Sequence, residues 1–315
     1  MTLPTRKIGS LDVTVVGLGC NNFGGRIDEK RSREVVAACL DAGITFFDTA
    51  DVYGGTRSEE FLGRALRKRR DEAVVTTKFG MQIDPDHRGA KPDYVRSALE
   101  ASLRRLGTDH VDLYLLHAPD PETPIADTLA ALDEEVRAGK VREIGCSNFS
   151  AQQLGLAYEA VAQGAARFVC VQNEYSILHR SPEVDVLDEC VATDTAFVPY
   201  FPLARGLLTG KYRRGNPPPP GTRLAGVGPE QYERLASEEN LKAVEQLTEI
   251  ANQHGWLVGQ LAIAWLLTRP MVASVIAGAT SPDQITANAS AAALDVLPRD
   301  LDAIDAVVPP ASHRV

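Results

Sequence analysis

Short apolar runs alternate along the chain with longer segments whose apolar residues recur at helical spacing. The runs typical of strands lie near residues 15–20, 44–48, 73–78, 111–117, 141–146, 168–173, 196–200 and 272–277. Between two of them, Ile125, Leu129, Leu132 and Val136 fall on one face of a helix. Eight strands that alternate with helices predict an α/β fold, a (β/α)8 TIM barrel, in preference to an open sheet.

Residues with special backbone preferences mark the boundaries of these elements. Gly107 and Gly139 each follow a helical segment and are expected to end it. Residues 6–13 alternate in polarity around a Gly-Ser pair and predict a short N-terminal hairpin. The extended loop after strand 7, residues 201–235, contains four consecutive prolines and exceeds the usual length of such a connection. We predict that it forms a flap over the site, with a plain surface loop as the alternative.

Composition limits the classes of function. With 315 residues, we expect one domain that spans 1–315, since a single α/β barrel commonly has this length. The net charge of −9 argues against binding to nucleic acid or to an anionic membrane surface. The five cysteines form no C-x-x-C pair and the six histidines show no paired spacing, so we expect neither disulfides nor a bound metal. These features predict a cytoplasmic protein.

Four polar side chains follow three of the predicted strands. Asp48 and Tyr53 come after the run at 44–47, Lys78 ends the run at 73–77, and His117 follows 111–116. Because the strands of a barrel point their carboxyl ends at one centre, we expect these four residues to converge.

Together, these four groups favour proton transfer to an oxygen atom. An unperturbed phenol has a pKa of about 10, and a neighbouring ammonium group lowers it. Asp48 would keep Lys78 charged, and His117 would donate a hydrogen bond to a substrate carbonyl. None of the four can store a hydride, so a cofactor must supply it.

Longer stretches of the chain resemble the aldo-keto reductase superfamily. The resemblance covers nearly the whole chain and is carried by Gly17-Leu-Gly-Cys20, Phe47-Asp-Thr-Ala-Asp-Val-Tyr-Gly54, Val75-Thr-Thr-Lys-Phe-Gly80, Val111-Asp-Leu-Tyr-Leu-Leu-His117, Gly139-Lys-Val-Arg-Glu-Ile-Gly-Cys-Ser-Asn-Phe149 and Tyr200-Phe-Pro-Leu-Ala-Arg-Gly-Leu-Leu-Thr-Gly-Lys211. It implies a (β/α)8 barrel that binds a nicotinamide cofactor at its carboxyl face. It also implies a catalytic tetrad with Tyr53 as the general acid.

The resemblance also implies the residues that hold the cofactor. Ser147, Asn148 and Gln172 would bind the nicotinamide carboxamide, and Tyr200 would stack on its ring. From the residues alone, Ser147 and Asn148 are equally typical of a helix N-cap. The remaining implied contacts are Leu203, Gly206, Leu207 and Lys211 near the pyrophosphate, and Gly278, Thr280, Ser281, Gln284 and Asn288 near the adenosine.

One departure from the family pattern concerns the choice of cofactor. Many NADP(H)-preferring members carry Arg or Lys in the adenosine segment, whereas this chain has Thr280, Ser281 and Gln284. Neutral donors lack the charge-assisted contact of Arg. We therefore expect NADP(H), with NAD(H) possible.

The expected activity is reduction of aldehydes or ketones to alcohols. Two alternatives stay open, an NAD-dependent sugar dehydrogenase on the same scaffold and a cofactor-sensing regulatory subunit with little turnover. Substrate specificity is expected in the loops around Asn22, Phe23, Phe79 and 213–235. The sequence identifies neither the physiological substrate, nor the oligomeric state, nor the direction of the reaction.

Overall fold

A computed structural model describes residues 2–311. Its strands are β1 (Thr5–Ile8), β2 (Leu11–Thr14), β3 (Val16–Gly19), β4 (Phe46–Asp48), β5 (Val74–Phe79), β6 (Val111–Leu116), β7 (Val141–Ser147), β8 (Phe168–Gln172), β9 (Ala196–Phe197) and β10 (Val275–Gly278). Its helices are α1 (Glu29–Asp41), α2 (Arg57–Leu66), α3 (Pro92–Leu106), α4 (Ile125–Arg137), α5 (Ala151–Glu159), α6 (Val186–Ala192), α7 (Pro229–Leu235), α8 (Glu238–Gln253), α9 (Val258–Leu267), α10 (Pro282–Ser290) and α11 (Pro298–Val307).

The strands β3 to β10 form one parallel sheet in the order β10-β3-β4-β5-β6-β7-β8-β9. Parallel bridges from Phe197 to Val272 and from Tyr200 to Ile276 join the two ends of this sheet. The backbone N–H of Ile276 donates to the oxygen of Pro199 at 3.1 Å across the same seam. The predicted eight strands and the (β/α)8 barrel are confirmed.

Residues along each barrel strand alternate between two apolar environments. In β6, Leu113 and Leu115 belong to the cluster inside the barrel, whereas Tyr114 and Leu116 pack with the helices outside. Both faces of the strand are buried, which explains why its residues are apolar except for Asp112.

The predicted N-terminal hairpin is confirmed as the antiparallel pair β1–β2. Its residues Ile8, Leu11 and Val13 are buried in the same cluster as the inward side chains of the barrel. Arg6 donates to the backbone oxygens of Leu267 and Val272, at 2.8 and 2.5 Å. The hairpin therefore contributes to the core inside the barrel.

The predicted helix ends also agree with the structure. Gly107 follows α3 with φ 67°, and its N–H donates to the oxygen of Leu103. Gly139 has φ 75° and lies just beyond α4. Both glycines adopt the left-handed conformation that side chains with a Cβ disfavour.

The long connection after β9 is more ordered than a plain loop. It contains 3₁₀ turns at Ala204–Thr209 and Leu224–Gly226, followed by α7. Leu224 is buried, and its N–H donates to the hydroxyl oxygen of Tyr212. Within residues 2–311, no helix is both long and apolar enough to cross a membrane.

Candidate active site

The four predicted catalytic residues meet at the carboxyl end of the barrel. Asp48 ends β4, Lys78 lies near the end of β5, and His117 follows β6. The Nζ atom of Lys78 lies 2.8 Å from Asp48 Oδ2 and 3.5 Å from the hydroxyl oxygen of Tyr53. The same Nζ atom also donates to the backbone oxygen of Thr49 at 2.8 Å.

Burial has the largest effect on the pKa values of Tyr53 and Lys78. The pKa of Tyr53 is raised, because burial outweighs the opposing positive charge of Lys78. The expectation of a lowered phenol pKa is therefore wrong in its net sign, although Lys78 acts in the expected direction. For Lys78, burial lowers the pKa, but the opposing effects of the negative charge of Asp48 and of the Tyr53 phenol are larger. The net pKa of Lys78 is therefore raised, and the ammonium group stays charged.

His117 lines the same cleft as a neutral imidazole. Burial, and then the positive charge of Lys78, lowers its pKa to about 3. Its ring lies edge-on to the ring of Tyr53, with 5.6 Å between the centroids. Its Nδ1 is buried and makes no hydrogen bond with residues 2–311. At neutral pH it therefore adds a hydrogen-bonding group but no charge.

A second set of polar side chains is linked to the tetrad. Gln172 Nε2 donates to Asp48 Oδ1 at 2.9 Å, and Ser147 Oγ donates to the backbone oxygen of Gln172 at 2.7 Å. Asn148 Nδ2 donates to the backbone oxygen of His117, and Asn148 Oδ1 accepts from the Tyr200 hydroxyl at 2.8 Å. The predicted side chains thus form one hydrogen-bonded group.

The N-cap alternative for this segment is wrong. The N-cap of α5 is Ser150, which exchanges hydrogen bonds with Gln153 in a capping box. Asn148 instead has φ 63°, a left-handed conformation that Asn tolerates better than most residues. Its side chain is therefore free of a capping role and lies along the cleft.

A distorted turn after β9 forms the next part of the wall. Phe201, Ala204 and Arg205 have φ of 52°, 45° and 58°, all in the left-handed region. Of the predicted contacts, Leu203, Gly206 and Lys211 line the cleft. Leu207 does not, because its side chain is buried in the core.

The predicted adenosine contacts lie at the far end of the same cleft. Gly278, Thr280, Gln284 and Asn288 line it, whereas Ser281 lies outside the lining as the N-cap of α10. The N–H of Thr280 donates to Gln284 Oε1 at 2.8 Å. Four of these five positions therefore share the cleft with the tetrad.

Four arginines in the cleft were missed by the sequence prediction. They are Arg26, Arg205, Arg213 and Arg223, and Arg223 donates to Asn22 Oδ1 at 2.9 Å. The guanidinium carbons of Arg205 and Arg223 lie 4.2 and 5.5 Å from the ring centroid of Phe201. The sequence did offer a signal for Arg223, because this residue follows the four prolines in the segment that we predicted to form a flap.

Only part of the expected specificity region lines the cleft. Asn22 lines the cleft, but Phe23 and Phe79 are fully buried in the core. Phe79 stacks on Tyr114, with 4.7 Å between ring centroids. Met81 and Phe201 are among the apolar side chains that the structure adds to the lining, together with Trp256, Leu257, Val258 and Ile276.

The cleft has a volume of about 870 Å³, in the range of sites for large organic ligands. It runs from the tetrad to α10 and is bordered by Pro220–Arg223 of the long connection. Arg26 donates to the backbone oxygen of Gly221 at 2.9 Å and so ties that connection across the opening. Among residues 2–311, no group of three or more His, Cys, Asp or Glu side chains is arranged to hold a metal ion.

Comparison with known proteins gives a consistent result. The model of the aldo/keto reductase family matches residues 15–309. A probable voltage-gated potassium channel subunit beta from Oryza sativa subsp. japonica is 37% identical over 91% of this chain and 90% of its own length.

Several relatives carry the names of reductases. The aldo-keto reductase yakc [NADP(+)] of Schizosaccharomyces pombe is 36% identical, over 85% of this chain and 81% of its own. The L-glyceraldehyde 3-phosphate reductase of Escherichia coli (strain K12) is 32% identical, over 86% of this chain and 81% of its own. The match to the family model and to these relatives extends along almost the entire chain, and the chain therefore belongs to the aldo/keto reductase family of oxidoreductases.

Proposed function

We propose that this protein is an NADP(H)-dependent reductase of aldehydes or ketones, in which Tyr53 is the general acid. The observation that carries the proposal is the contact of Lys78 with both Asp48 and Tyr53 beside a cleft of about 870 Å³. The carboxylate of Asp48 already pairs with the buried ammonium group of Lys78, so charge balance alone does not require a phenol beside it. The arrangement fits a site in which the phenol exchanges a proton.

The protonated state of Tyr53 suits the reductive direction. A phenol whose pKa lies above its usual value is fully protonated at neutral pH and has a proton to give. When the carbonyl oxygen gains negative charge, Lys78 stabilises the phenolate that remains on Tyr53 after transfer. The neutral imidazole of His117 donates a hydrogen bond to the same oxygen and orients it toward the phenol.

The cleft fits a nicotinamide dinucleotide along its length. When bound, the reduced cofactor supplies the hydride that goes to the carbonyl carbon. Ser147, Asn148 and Gln172 offer amide and hydroxyl groups at the tetrad end, and Tyr200 offers a ring. The Oε1 atom of Gln172 accepts no described hydrogen bond from residues 2–311, so it is free for the carboxamide N–H.

Positive charge in the cleft favours a phosphorylated cofactor. Arg205, Lys211, Arg213 and Arg223 line the cleft, in a chain whose net charge is −9. They supply the charge that Thr280, Ser281 and Gln284 do not. The relative from Schizosaccharomyces pombe, whose name includes NADP(+), also supports this choice.

Further assignments accompany this proposal. The substrate is a small molecule with a carbonyl group, as the reductase relatives suggest. One domain for residues 1–315 and a cytoplasmic location remain predictions, as do the roles of the individual cofactor residues.

The test is oxidation of NADPH, followed by absorbance, with a panel of aldehydes and ketones. We expect oxidation that depends on the carbonyl compound and on the protein. Tight binding of NADPH with no turnover on any compound would instead favour a regulatory subunit, the alternative that the 37% identical channel subunit supports. Oxidation of sugars with NAD, but no reduction with NADPH, would favour the dehydrogenase.

A further inference from the structure

The turn that carries Tyr53 is tied twice to Lys78. The Nζ atom of Lys78 donates to the backbone oxygen of Thr49 at 2.8 Å, and the N–H of Asp51 donates to the backbone oxygen of Lys78 at 3.1 Å. Within the turn, the N–H of Tyr53 donates to the oxygen of Ala50 at 3.2 Å. Asp51 therefore lies two residues from the phenol and in direct backbone contact with its cationic neighbour.

The side chain of Asp51 is buried without a hydrogen-bond donor. Its exposed fraction is 0%, and neither carboxyl oxygen accepts a hydrogen bond of normal geometry from residues 2–311. The N–H of Val52 lies outside that geometry, although it still lowers the pKa of the carboxyl group. A carboxylate in this state loses hydration without full compensation from the protein.

The buried ionisable side chains around Asp51 do not balance in charge. Lys78 is paired with Asp48, and Arg105 on α3 is paired with Glu59 on α2, with 2.6 Å between Arg105 Nε and Glu59 Oε2. Asp51 is the carboxylate for which this cluster supplies no cation of its own. One proton, taken up from bulk water by Asp51, makes the cluster neutral.

Two phenols complete the surroundings. The hydroxyls of Tyr94 on α3 and Tyr114 on β6 are buried, and neither hydrogen-bonds to any residue in 2–311. Burial is the main cause that raises the pKa of both phenols, and among the charged groups Asp51 raises both most strongly. Asp84, in the connection after β5, acts on Tyr94 in the same direction but more weakly.

We propose that Asp51 is a positioning residue of the reductase site, which acts on Tyr53 through Lys78 and changes its effect when its carboxyl group gains or loses a proton. The inference rests on the proposed function, because it assigns Tyr53 the role of proton donor. Burial, and then the negative charge of Glu59, raises the pKa of Asp51 to about 7. The change of state therefore falls in the neutral range.

The sign of the effect follows from the charges. Below about pH 7 the carboxyl group of Asp51 is protonated, and Asp48 is the carboxylate that acts on Lys78. Above about pH 7, the ionised carboxylate of Asp51 adds a negative charge near Lys78. This charge raises the pKa of the Tyr53 phenol and makes it a weaker acid. The reductive turnover number should therefore fall by about two- to fivefold as the pH rises through this range.

The test compares the pH dependence of kcat for the parent, Asp51→Asn and Asp51→Glu, with saturating NADPH and carbonyl substrate. Asp51→Asn has nearly the same shape but never ionises, so its kcat should lack the decrease near neutral pH. Asp51→Glu restores an ionisable carboxyl group and should restore the decrease. The control is Asp71→Asn, an exposed carboxylate just before β5, which should follow the parent.

A second readout does not depend on catalysis. Because the folded-state pKa of Asp51 is raised, its contribution to stability is present below its unfolded pKa and is lost as the pH rises through about 7. Asp51→Asn should therefore raise the Tm relative to the parent at alkaline pH, with a difference that shrinks at acidic pH.

The outcomes separate the inference from the proposed function. A decrease of kcat in Asp51→Asn equal to that in the parent would overturn the role of Asp51. If no carbonyl compound is reduced by any variant, the proposed function fails. In that case a Tm difference between parent and Asp51→Asn that does not change with pH would overturn the inference as well.

Discussion

The two ends of the cleft are built in different ways. The catalytic end, named for the proposed role of Asp48, Tyr53, Lys78 and His117, lies on or shortly after barrel strands, and Lys78 contacts both Asp48 and Tyr53. The cationic end, formed by Arg26, Arg205, Lys211, Arg213 and Arg223, lies on connections, and its side chains are partly or fully exposed. The first is fixed by the core of the barrel, whereas the second depends on how the connections fold over the cleft.

This difference predicts separate consequences for chemistry and binding. A buried, preorganised group acts strongly on the transition state, since its surroundings exclude water and its partners do not move. Exposed cations attract a charged ligand but are screened by solvent and salt. We therefore expect changes at the catalytic end to alter kcat, and changes at the cationic end to alter the Kd of the cofactor.

The largest effect is expected for Tyr53→Phe, which deletes the proton donor and keeps the ring. General acid catalysis contributes about 10²- to 10⁴-fold, so kcat should fall at least that far while the Kd of NADPH stays nearly unchanged. The measurements are NADPH oxidation and fluorescence titration of the cofactor. Tyr158→Phe, which alters an exposed tyrosine on α5, is the matched control.

A residual kcat within about threefold of the parent would refute Tyr53 as the acid, because that loss lies far below the expected range. A large rise in the Kd of NADPH would show instead that the hydroxyl group serves cofactor binding. Either result would remove the functional distinction between the two ends.

At the cationic end, Arg223→Met should weaken NADPH binding while kcat at saturating cofactor stays close to that of the parent. A hydrogen bond to a charged group contributes about 1.5–3 kcal/mol, which corresponds to about tenfold in Kd or more. We expect the lower limit, because Arg223 is partly exposed and already donates to Asn21 and Asn22. Arg33→Met, an exposed position on α1, is the control.

The salt dependence of NADPH binding sharpens this prediction. If Arg223 contacts a cofactor phosphate, the variant should show a weaker dependence of Kd on ionic strength than the parent. Equal salt dependence in both proteins would place Arg223 away from the phosphates.

The sequence predicted the catalytic end better than the cationic end for a physical reason. Asp48, Lys78 and His117 follow strands whose apolar runs are local patterns, so their convergence follows from the barrel alone. Arg223 meets Asn22 across 201 residues, through the path of a proline-rich connection that no local pattern specifies. Phe23, which we expected in a specificity loop, is buried because its neighbours in space supply an apolar environment.

Electrostatics was predictable only in part. The attraction between Lys78 and the phenol follows from charge, but the net rise in the pKa of Tyr53 depends on burial that only the folded chain creates. The same holds for Asp51, because its lack of a hydrogen-bond donor arises only when α2, α3 and β6 pack around its side chain.

A smaller effect is expected for residues 213–235, part of which lines the cleft. Arg26 bonds to Gly221 and Arg223 to Asn22, so a cofactor beneath this segment would add contacts to it. We expect limited proteolysis within 213–235 to slow several-fold when NADPH is added, since local opening is then coupled to ligand release. Cleavage of an unrelated denatured protein controls for inhibition of the protease. An unchanged rate would identify the segment as a plain surface loop.

The smallest effect concerns the choice between NADPH and NADH. Thr280 and Gln284 offer neutral groups, and the N-terminal end of α10 adds a positive dipole, while the exposed Asp283 on its first turn opposes an anion. Neutral hydrogen bonds contribute about 0.5–1.5 kcal/mol each, so we expect a real but modest preference for NADPH. Thr280→Arg should raise the ratio of the two dissociation constants by about three- to tenfold, because it adds a charge-assisted contact at a partly exposed site.

The matched control for that substitution is Thr286→Arg, which adds the same charge on α10 at an exposed position outside the lining of the cleft. Fluorescence titration with each reduced cofactor gives the four dissociation constants needed for each comparison. Tighter binding of NADH than of NADPH by the parent would overturn the assignment of NADP(H). An unchanged ratio in Thr280→Arg would show that residue 280 does not face the 2′-phosphate, and an equal change in Thr286→Arg would reduce the effect to general attraction between the protein and an anion. Only a change confined to residue 280 would place the phosphate at the start of α10 and leave the arginines of the cationic end to the pyrophosphate.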